Sequence, residues 1–468
     1  MPRNERHARL IVGFCILAGG PLCARAGEAP ARPRPAAVDA LLAEAKPARL
    51  KAGVEKLAGF GTRHTLSETG SETRGIGAAR RWIKAEFERA AEAAAKGTRR
   101  KPEDRLHVSF ESFQQPADGR RYPREVELVN VVAVLPGTRP EARARRVYVV
   151  GHYDSRASEA NDAAADAPGA NDNASGTALV LELARVLAGR ELDATVVFLA
   201  TAGEEQGLTG ARRHAQAARQ RGEAVLAVLN NDIVGDPRAP GGKVHDTQVR
   251  VFSEGLPAAL GAERLPLVRG LSAESDGLSR QLARFVQETA RLHELPVEPM
   301  LIYRSDRFLR GGDHLAFNEF GYPAVRFTVV EEDYTKQHQD VREEGGVKYG
   351  DLPAHVDAEY LAGVARVNLA ALVHLANAPA PPAGAQLVMA ELANDATLRW
   401  QAGPDRDTAG YEIVWRATTS PVWEGSKDVG QATEAVLPMS VDNYFFGVRA
   451  YDADGYRSMV AFPAVGRD

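Results

Sequence analysis

Residues 146–151 read RVYVVG and residues 194–201 read ATVVFLAT, two short runs that are largely apolar and rich in β-branched side chains. A histidine, His152, follows the first run directly, and an acid pair, Glu204 and Glu205, comes shortly after the second. Short uninterrupted apolar runs are typical of strands that are buried on both faces of a sheet. The two stretches therefore predict central strands with polar side chains at their carboxyl ends.

The same pattern recurs along the chain. Further runs with strand character occupy residues 127–135, 224–230, 248–253 and 323–330. Apolar residues at helical spacing predict helices over about 39–58, 75–95 and 357–377, and a further helix that begins near Asn173. Strands that alternate with helices indicate an α/β fold, a mostly parallel mixed sheet that is covered by helices on both faces. In such sheets ligands bind at the carboxyl ends of the strands.

Residues 1–26 have the composition of a secretory signal peptide. Three arginines form a basic start, residues 10–23 are largely apolar, and Ala24-Arg25-Ala26 supplies a small-residue cleavage site. The apolar run is too short for a convincing membrane span. We therefore expect an exported protein, periplasmic or extracellular, without a stable membrane anchor.

Both cysteines of the chain, Cys15 and Cys23, lie in this segment. A mature chain would therefore contain no disulfide, no cysteine nucleophile and no thiolate metal ligand. The formal net charge of −4 gives no sign of a nucleic-acid partner. Any bound metal must be held by nitrogen and oxygen atoms.

Composition divides the rest of the chain. Residues 27–38, which contain mainly Gly, Pro, Ala and Arg, are expected to form a flexible leader. Residues 39–378 carry the α/β pattern, and residues 379–385 form a semi-rigid Pro/Ala linker.

Residues 386–468 have a different character, because their apolar residues alternate in period two between turn residues. This pattern predicts a small all-β sandwich. The segment resembles a fibronectin type III module, with Trp400 and Tyr444 where such modules place core aromatic residues. Its sequence indicates no partner.

Five polar residues stand at or beyond the ends of predicted strands: His152, Asp172, Glu205, Asp232 and His338. Taken singly, each has an ordinary explanation, such as a core histidine, a helix-capping carboxylate or an exposed acidic turn. Together, two imidazoles and three carboxylates form the ligand set of a two-metal hydrolase, in which one carboxylate is shared between the cations.

Two neighbouring acids extend this set. Glu204 stands beside Glu205, so that one carboxylate can bind metal while the other stays free as a general base. Asp154, two residues after His152, is well placed to fix the tautomer of that imidazole by accepting from its second nitrogen.

Several motifs resemble, in the same order, those of the M28 family of zinc peptidases, the bacterial leucyl-aminopeptidase-like group. They are GHYDS at 151–155, PGANDNASG at 168–176, FLATAGEEQG at 198–207, LNNDIVG at 229–235 and HQD at 338–340. The resemblance covers about 40–378. It implies that Asp172 bridges two zinc ions, with His152 and Asp232 completing one site and Glu205 and His338 the other, and that Glu204 is the general base.

The sequence departs from the family pattern near the last histidine. Many members have a tyrosine directly before it, which contributes a hydrogen bond to the oxyanion, whereas this chain has Gln337. Tyr334 is the candidate for that role. Members also often carry an aspartate a few residues after the histidine, whereas Asp340 follows His338 by only two positions. His314 is the competing candidate for the last ligand, although we expect it at the pocket wall or behind the metal ligands.

The resemblance implies a secreted two-zinc exopeptidase, most simply an aminopeptidase that removes N-terminal residues from peptide or protein substrates. Two alternatives share the fold: a glutaminyl cyclase, which works with a single zinc, and a carboxypeptidase, which also uses two metals. A third alternative is a catalytically inert secreted binding protein whose β-sandwich makes the contacts. The complete set of five candidate ligands favours an enzyme.

Overall fold

The structure is a computed structural model that describes residues 34–96, 101–389 and 393–466. The predicted signal peptide, with both cysteines, and most of the predicted leader lie outside these residues. No helix within the described ranges combines the length and apolar character needed to cross a membrane.

A mixed sheet of eight strands forms the centre of the α/β region. Its strands are β1 (His107–Gln115), β2 (Val126–Leu135), β3 (Arg145–His152), β4 (Thr195–Thr201), β5 (Ala224–Asn231), β6 (Gln248–Ser253), β7 (Glu298–Ile302) and β8 (Ala324–Thr328). They pair in the order β1-β2-β4-β3-β5-β8-β6-β7. The pairs β4-β3, β3-β5 and β5-β8 are parallel. The pairs β1-β2, β2-β4 and β8-β6 are antiparallel. The predicted α/β fold with a mixed sheet is confirmed.

The described residues of the α/β region contain nine helices, and all but the sixth contribute buried apolar side chains to the layers on the two faces of the sheet. The helices are α1 (Ala36–Leu42), α2 (Pro47–Ala58), α3 (Gly75–Ala95), α4 (Gly176–Leu187), α5 (Thr209–Gln220), α6 (Leu265–Gly270), α7 (Leu278–Leu292), α8 (Asp313–Asn318) and α9 (Ala358–Asn377). One apolar layer contains side chains of α1 to α4, α7 and α9, and the opposite layer contains those of α5 and α8. Every residue of β4 is buried, as its uninterrupted apolar sequence predicts.

Three features in the first part of the chain differ from the prediction. The single helix expected over 39–58 is two helices, because the chain turns after α1 and Pro47 opens α2 as its first residue. Helix α1 also begins inside the predicted leader, and its Val38 is fully buried. Strand β1 was not predicted, since it is an edge strand whose polar residues are only partly covered.

Later strands form a hairpin and two further sheets. They are β9 (Arg342–Glu344), β10 (Val347–Tyr349), β11 (Ala383–Val388), β12 (Ala396–Gln401), β13 (Thr408–Ala417), β14 (Gly425–Gly430), β15 (Glu434–Leu437), β16 (Tyr444–Asp452) and β17 (Ala464–Gly466). Strands β9 and β10 pair with each other, and the C-terminal sheets have the orders β15-β12-β11-β17 and β14-β13-β16. Strand β11 begins inside the predicted linker.

The two C-terminal sheets share an apolar core. Trp400 is buried at its centre and stacks edge-on against Tyr411, with ring centroids 5.8 Å apart, whereas Tyr444 is only partly buried. Tyr456 and Met459 belong to the apolar cluster of the α/β region instead, so this C-terminal module packs directly on the larger domain. Its likeness to fibronectin type III stays a prediction.

Candidate metal centre

Three parallel strands bring the first candidate residues together. Because β4, β3 and β5 run in the same direction, their carboxyl ends lie at one edge of the sheet. His152 ends β3, Glu204 and Glu205 follow β4, and Asp232 follows β5. These are the positions at which α/β proteins bind ligands.

A close backbone contact brings Asp172 to the same edge. Asp172 lies in the irregular turn that leads into α4, and Gly176 starts that helix. A Cβ atom at Gly176 would come within 2.1 Å of the main-chain oxygen of Asn231, so only glycine allows the turn to approach the end of β5. The turn therefore places Asp172 near Asp232.

The candidate residues form two groups. Within each group, the potential ligand atoms lie within 4.8 Å of one another. The first group is His152, Glu204 and Asp232, and the second is Asp172, Glu205 and His338. All five residues predicted as metal ligands are thus brought together, and Glu204, predicted as the base, lies in the same cluster. All are buried except Glu204 and His338, which are partly buried.

Asp172 belongs to the second group and also contacts His152 of the first group. Its Oδ1 lies 3.3 Å from Nε2 of His152, and its Oδ2 lies 3.0 Å from Nε2 of His338. Each carboxylate oxygen therefore faces a different imidazole. This is the arrangement that a carboxylate shared between two cations requires.

The spacing of donor atoms fits zinc. A tetrahedral zinc with ligands at ~2.0–2.2 Å holds neighbouring ligand atoms roughly 3.3 Å apart. Nε2 of His152 lies 3.4 Å from Oδ1 of Asp232, and Nε2 of His338 lies 3.0 Å from Oε2 of Glu205. Nitrogen and oxygen donors are also the ligand types that zinc accepts when no thiolate is present.

The electrostatics of the cluster favour positive charge. Burial alone would lower the pKa of His152, but Glu204 and Asp232 outweigh it and hold that pKa well above its usual range. Burial likewise opposes protonation of His338, yet Glu205 and Asp172 raise its pKa to about 10. The carboxylates thus stabilise positive charge at this site. Divalent metal ions could supply that charge by displacing the additional protons from the two imidazoles.

Glu204 and Asp172 differ in how their surroundings shift the pKa of the carboxyl group. Burial raises the pKa of the Glu204 carboxyl well above its usual range, with Asp232 and Glu205 adding to the shift and His152 opposing it. For Asp172, hydrogen bonds to the two imidazoles outweigh burial, so its pKa stands well below the usual range. Glu204 therefore takes up a proton more readily than Asp172.

Asp154 supports both His152 and the acid pair. Its Oδ1 lies 3.5 Å from Nδ1 of His152, and its main-chain oxygen lies 3.2 Å from the same nitrogen. The carboxylate also accepts the main-chain N–H groups of Glu204 and Glu205, at 3.3 and 3.1 Å, and the hydroxyl of Thr65 at 3.0 Å. Asp154 thus fixes the loop after β4 as well as the imidazole.

Asp351 is a supporting residue that the sequence did not reveal. Its buried carboxylate accepts the main-chain N–H groups of Asn171 and Asp172, the latter at 2.7 Å. Burial raises the pKa of Asp351 to about 7. Since it lies in a loop 179 residues from Asp172, no local pattern could connect the two positions.

Arg326 is a second supporting residue that the sequence did not reveal, and it contacts Asp232. Its guanidinium lies 3.0 Å from Oδ2 of Asp232 and 3.1 Å from Oδ2 of Asp306. His314 lies behind the same group, because its Nε2 is 3.6 Å from Oδ2 of Asp306 and 2.7 Å from the main-chain oxygen of Ser305. His314 is fully buried, and it is neither in the two candidate metal groups nor among the described residues that line the cleft.

Gln337 contacts the cluster directly. It occupies the position before His338 at which many M28-like sequences have tyrosine. Its Nε2 donates to Oδ2 of Asp172 at 2.8 Å, and its Oε1 accepts from Arg310 at 3.0 Å. Tyr334 instead lies on the cleft wall with 61% of its surface exposed, its ring 5.9 Å from the guanidinium carbon of Arg310. Its role at the oxyanion stays a prediction.

The cluster opens into a cleft of about 630 Å³. Its wall contains five arginines, the exposed side chain of Leu309 and Tyr334. In its loop, His338 has a left-handed backbone conformation, with φ at 53°. A conformation of this kind costs free energy in a residue other than glycine, and it is found preferentially at functional sites.

Comparison with known proteins supports the sequence-based resemblance. Residues 130–349 match Peptidase family M28. A probable zinc metalloprotease of Leptosphaeria maculans is 42% identical over 435 residues, which cover 92% of this chain and 97% of that protein. A probable zinc metalloprotease of Pyricularia oryzae is 44% identical over 92% of this chain and 84% of its own length.

Solved structures share the fold at lower identity. LapB from Legionella pneumophila is 21% identical with a TM-score of 0.50 over 73% of this chain and 75% of its own. An aminopeptidase from Aneurinibacillus sp. strain AM-1 is 14% identical with a TM-score of 0.50, covering 73% of this chain and 96% of that one. On the extent of its similarity to the fungal relatives and the match at 130–349, the chain belongs to peptidase family M28.

Proposed function

We propose that this protein is a two-zinc exopeptidase, an aminopeptidase that hydrolyses N-terminal residues from peptides and acts outside the cytoplasm. The observation that carries the proposal is Asp172, whose two oxygens face two imidazoles in two separate donor groups. The names of the fungal relatives, probable zinc metalloproteases, support zinc as the metal.

The residues divide the work as follows. His152 and Asp232 would hold one ion, Glu205 and His338 the other, and Asp172 both. Zinc ions bound in this way supply Lewis acidity, which polarises a carbonyl group and acidifies water.

Glu204 would be the general base. It would take a proton from the attacking water and give it to the departing amine, for which a raised pKa is needed. Burial of the Glu204 carboxyl raises its pKa in the required direction. Asp154 would keep His152 in the tautomer that presents Nε2 to the metal.

The proposal is tested by hydrolysis of leucine p-nitroanilide before and after chelation, with zinc added back. Activity that is lost to the chelator and restored by zinc supports a zinc aminopeptidase. Peptides with a free or a blocked amino terminus then separate an aminopeptidase from a carboxypeptidase. A protein that binds zinc yet cleaves neither class of peptide would contradict the proposal.

A further inference from the structure

Two arginines in the cleft have no acidic partner. Arg121 and Arg156 both line the cleft that contains the candidate metal ligands. Arg121 donates from Nη1 to the main-chain oxygen of Glu205 at 3.0 Å, and Arg156 donates to the main-chain oxygens of Ala157 and Ser158 at 3.2 and 3.1 Å. Within the described part of the chain, neither guanidinium forms an ion pair, and each keeps N–H groups available.

Each of the other arginines of the same cleft faces a carboxylate. Arg212 forms a two-pronged pair with Glu319, at 2.8 and 3.0 Å. Arg307 and Arg310 share the carboxylate of Glu332, at 2.7 and 3.1 Å. The unpaired state of Arg121 and Arg156 is therefore a specific property of these two positions.

Both unpaired arginines lie on the side of Glu205 and His338. The hydrogen bond of Arg121 to Glu205 places it directly beside the second donor group. The loop of Arg156 is tied to the loop of His338 by Ser158 and Asp340, whose main-chain N–H groups donate to each other's side-chain oxygens at 3.2 and 3.0 Å. A further bond, from the amide of Asn161 to the main-chain oxygen of Arg120 at 2.8 Å, joins the two arginine loops.

The charge balance of the cleft shows what these arginines can bind. The only carboxylates among its described lining residues are those of the candidate metal cluster: Asp172, Glu204, Glu205 and Asp232. Two divalent ions would balance these four charges, so no carboxylate of the lining would be left to pair with Arg121 and Arg156. A guanidinium forms its strongest, two-pronged hydrogen bonds with a carboxylate.

We propose that Arg121 and Arg156 form a carboxylate-binding subsite beside the metal centre. The preferred substrates are then peptides with a carboxylate close to the scissile bond, either an Asp or Glu side chain or a free carboxyl terminus. This inference rests on the proposed peptidase function and specifies its substrate class.

The test measures kcat/KM on a set of tripeptides that carry Glu or Gln at the first or second position. Each peptide is supplied with a free carboxyl terminus and as the C-terminal amide. The amidated Gln peptides are the reference without a carboxylate. Charge-assisted hydrogen bonds of this kind correspond to a preference of roughly 10- to 100-fold.

The pattern of preference identifies the source of the carboxylate. A gain with Glu over Gln assigns it to a side chain, whereas a gain with the free terminus over the amide assigns it to the α-carboxylate. Equal hydrolysis of all peptides would overturn the subsite and leave the proposed function standing. Hydrolysis of none by the zinc-loaded protein would overturn both.

Variants test the two arginines directly. Arg121→Gln and Arg156→Gln should each lower the preference for carboxylate over the reference by about 10-fold, and Arg156→Glu should shift it toward peptides with lysine. Arg212→Gln is the matched control, because its guanidinium already faces Glu319, and its preference should change by about twofold or less. Each variant should bind as much zinc as the wild type, which shows that the site is folded.

Two results would contradict the assignment. One is an unchanged preference in both Arg121→Gln and Arg156→Gln. The other is an equal loss in Arg212→Gln, since this would mean that the general field of the cleft, and not a subsite, sets the preference. Two independent positions keep the test valid if one substitution disturbs its loop.

Discussion

Two buried clusters of charged side chains in this molecule differ in how their carboxylates are balanced. In the first, which we call the interface cluster, the C-terminal module meets the α/β domain through Asp276, Arg284, Glu288, Glu412, Arg416 and Arg449. Asp276 lies 3.1 Å from Arg284 and 2.7 Å from Arg416, and Arg449 lies 2.7 Å from Glu288 and 2.6 Å from Glu412. Every acid in this cluster faces a guanidinium.

The candidate metal centre has no such balance. The cluster has four carboxylates and two imidazoles. Among the described residues, Arg326 is the one arginine or lysine that forms an ion pair with any of the four carboxylates, that of Asp232. The difference separates two uses of buried charge. Acids that are matched by arginines hold two domains together, whereas acids in excess of arginines create a place for metal cations.

The largest expected effect distinguishes the base from the ligands within the metal centre. Glu204→Gln should lower kcat by ~10²–10⁴-fold because proton transfer is lost, while the zinc content stays at the wild-type level. Glu205→Gln is the matched control, and it should lower the zinc content itself. Steady-state kinetics and elemental analysis on the same samples check both. Full activity in Glu204→Gln would remove Glu204 from the mechanism.

The next effect is at the interface cluster. Asp276→Asn leaves the buried guanidiniums of Arg284 and Arg416 without their shared anion, so the free energy of unfolding should fall by about 3–5 kcal/mol. Glu434→Gln, which breaks a half-exposed pair with Arg399, should cost about 1 kcal/mol or less. Denaturant unfolding of the zinc-loaded proteins measures both values. Equal losses in the two variants would show that burial of the interface cluster has no special weight.

A smaller effect is expected from the support behind His152. Asp154→Asn replaces a carboxylate that accepts hydrogen bonds from two main-chain N–H groups, and it should lower zinc affinity or activity by ~10- to 100-fold. Asp162→Asn provides the matched control, since this exposed carboxylate also accepts two main-chain N–H groups, those of Ala164 and Ala165. Competition with a zinc chelator gives the affinities. If both variants bind zinc like the wild type, Asp154 does not support the metal centre.

The smallest expected effect is a pH dependence of the free energy of unfolding that comes from His374, a residue at the interface between the domain and the module. Burial, with smaller contributions from the nearby His293 and Arg457, lowers the pKa of His374 to about 3, and its ring packs against Tyr456 of the module at 5.2 Å. Because the folded pKa lies below the unfolded value of ~6.5, only the unfolded chain binds the proton as the pH falls below that value. Stability should therefore fall by about 1 kcal/mol between pH 7.5 and 5.5 from this residue alone.

Thermal unfolding of the wild type and of His374→Gln across this pH range checks the effect. The difference between the two proteins removes any dependence that zinc binding shares. A constant difference at all pH values would show that His374 does not contribute.

The parts of the molecule that could be predicted from sequence are those that depend on local pattern. Strand β4 is apolar throughout because it is buried on both faces, and His152 could be placed at a strand end because it follows such a run directly. The edge strand β1 was missed because its exposed residues carry no periodic signal. At the metal centre, Asp351 and Arg326 approach the predicted residues only through the tertiary fold. The same holds for the pairs of the interface cluster that join the module to the α/β domain, since Asp276 is 140 residues from Arg416 and Glu288 is 161 residues from Arg449.

The most direct test of the contrast between the two clusters is the zinc content per chain, measured by elemental analysis on the wild type and on Asp172→Asn after zinc loading and removal of free metal. Our account predicts two zinc ions in the wild type and a loss of at least one in the variant, because the two oxygens of Asp172 serve both donor groups. A wild type with one ion or none, or a variant that keeps two, would contradict it.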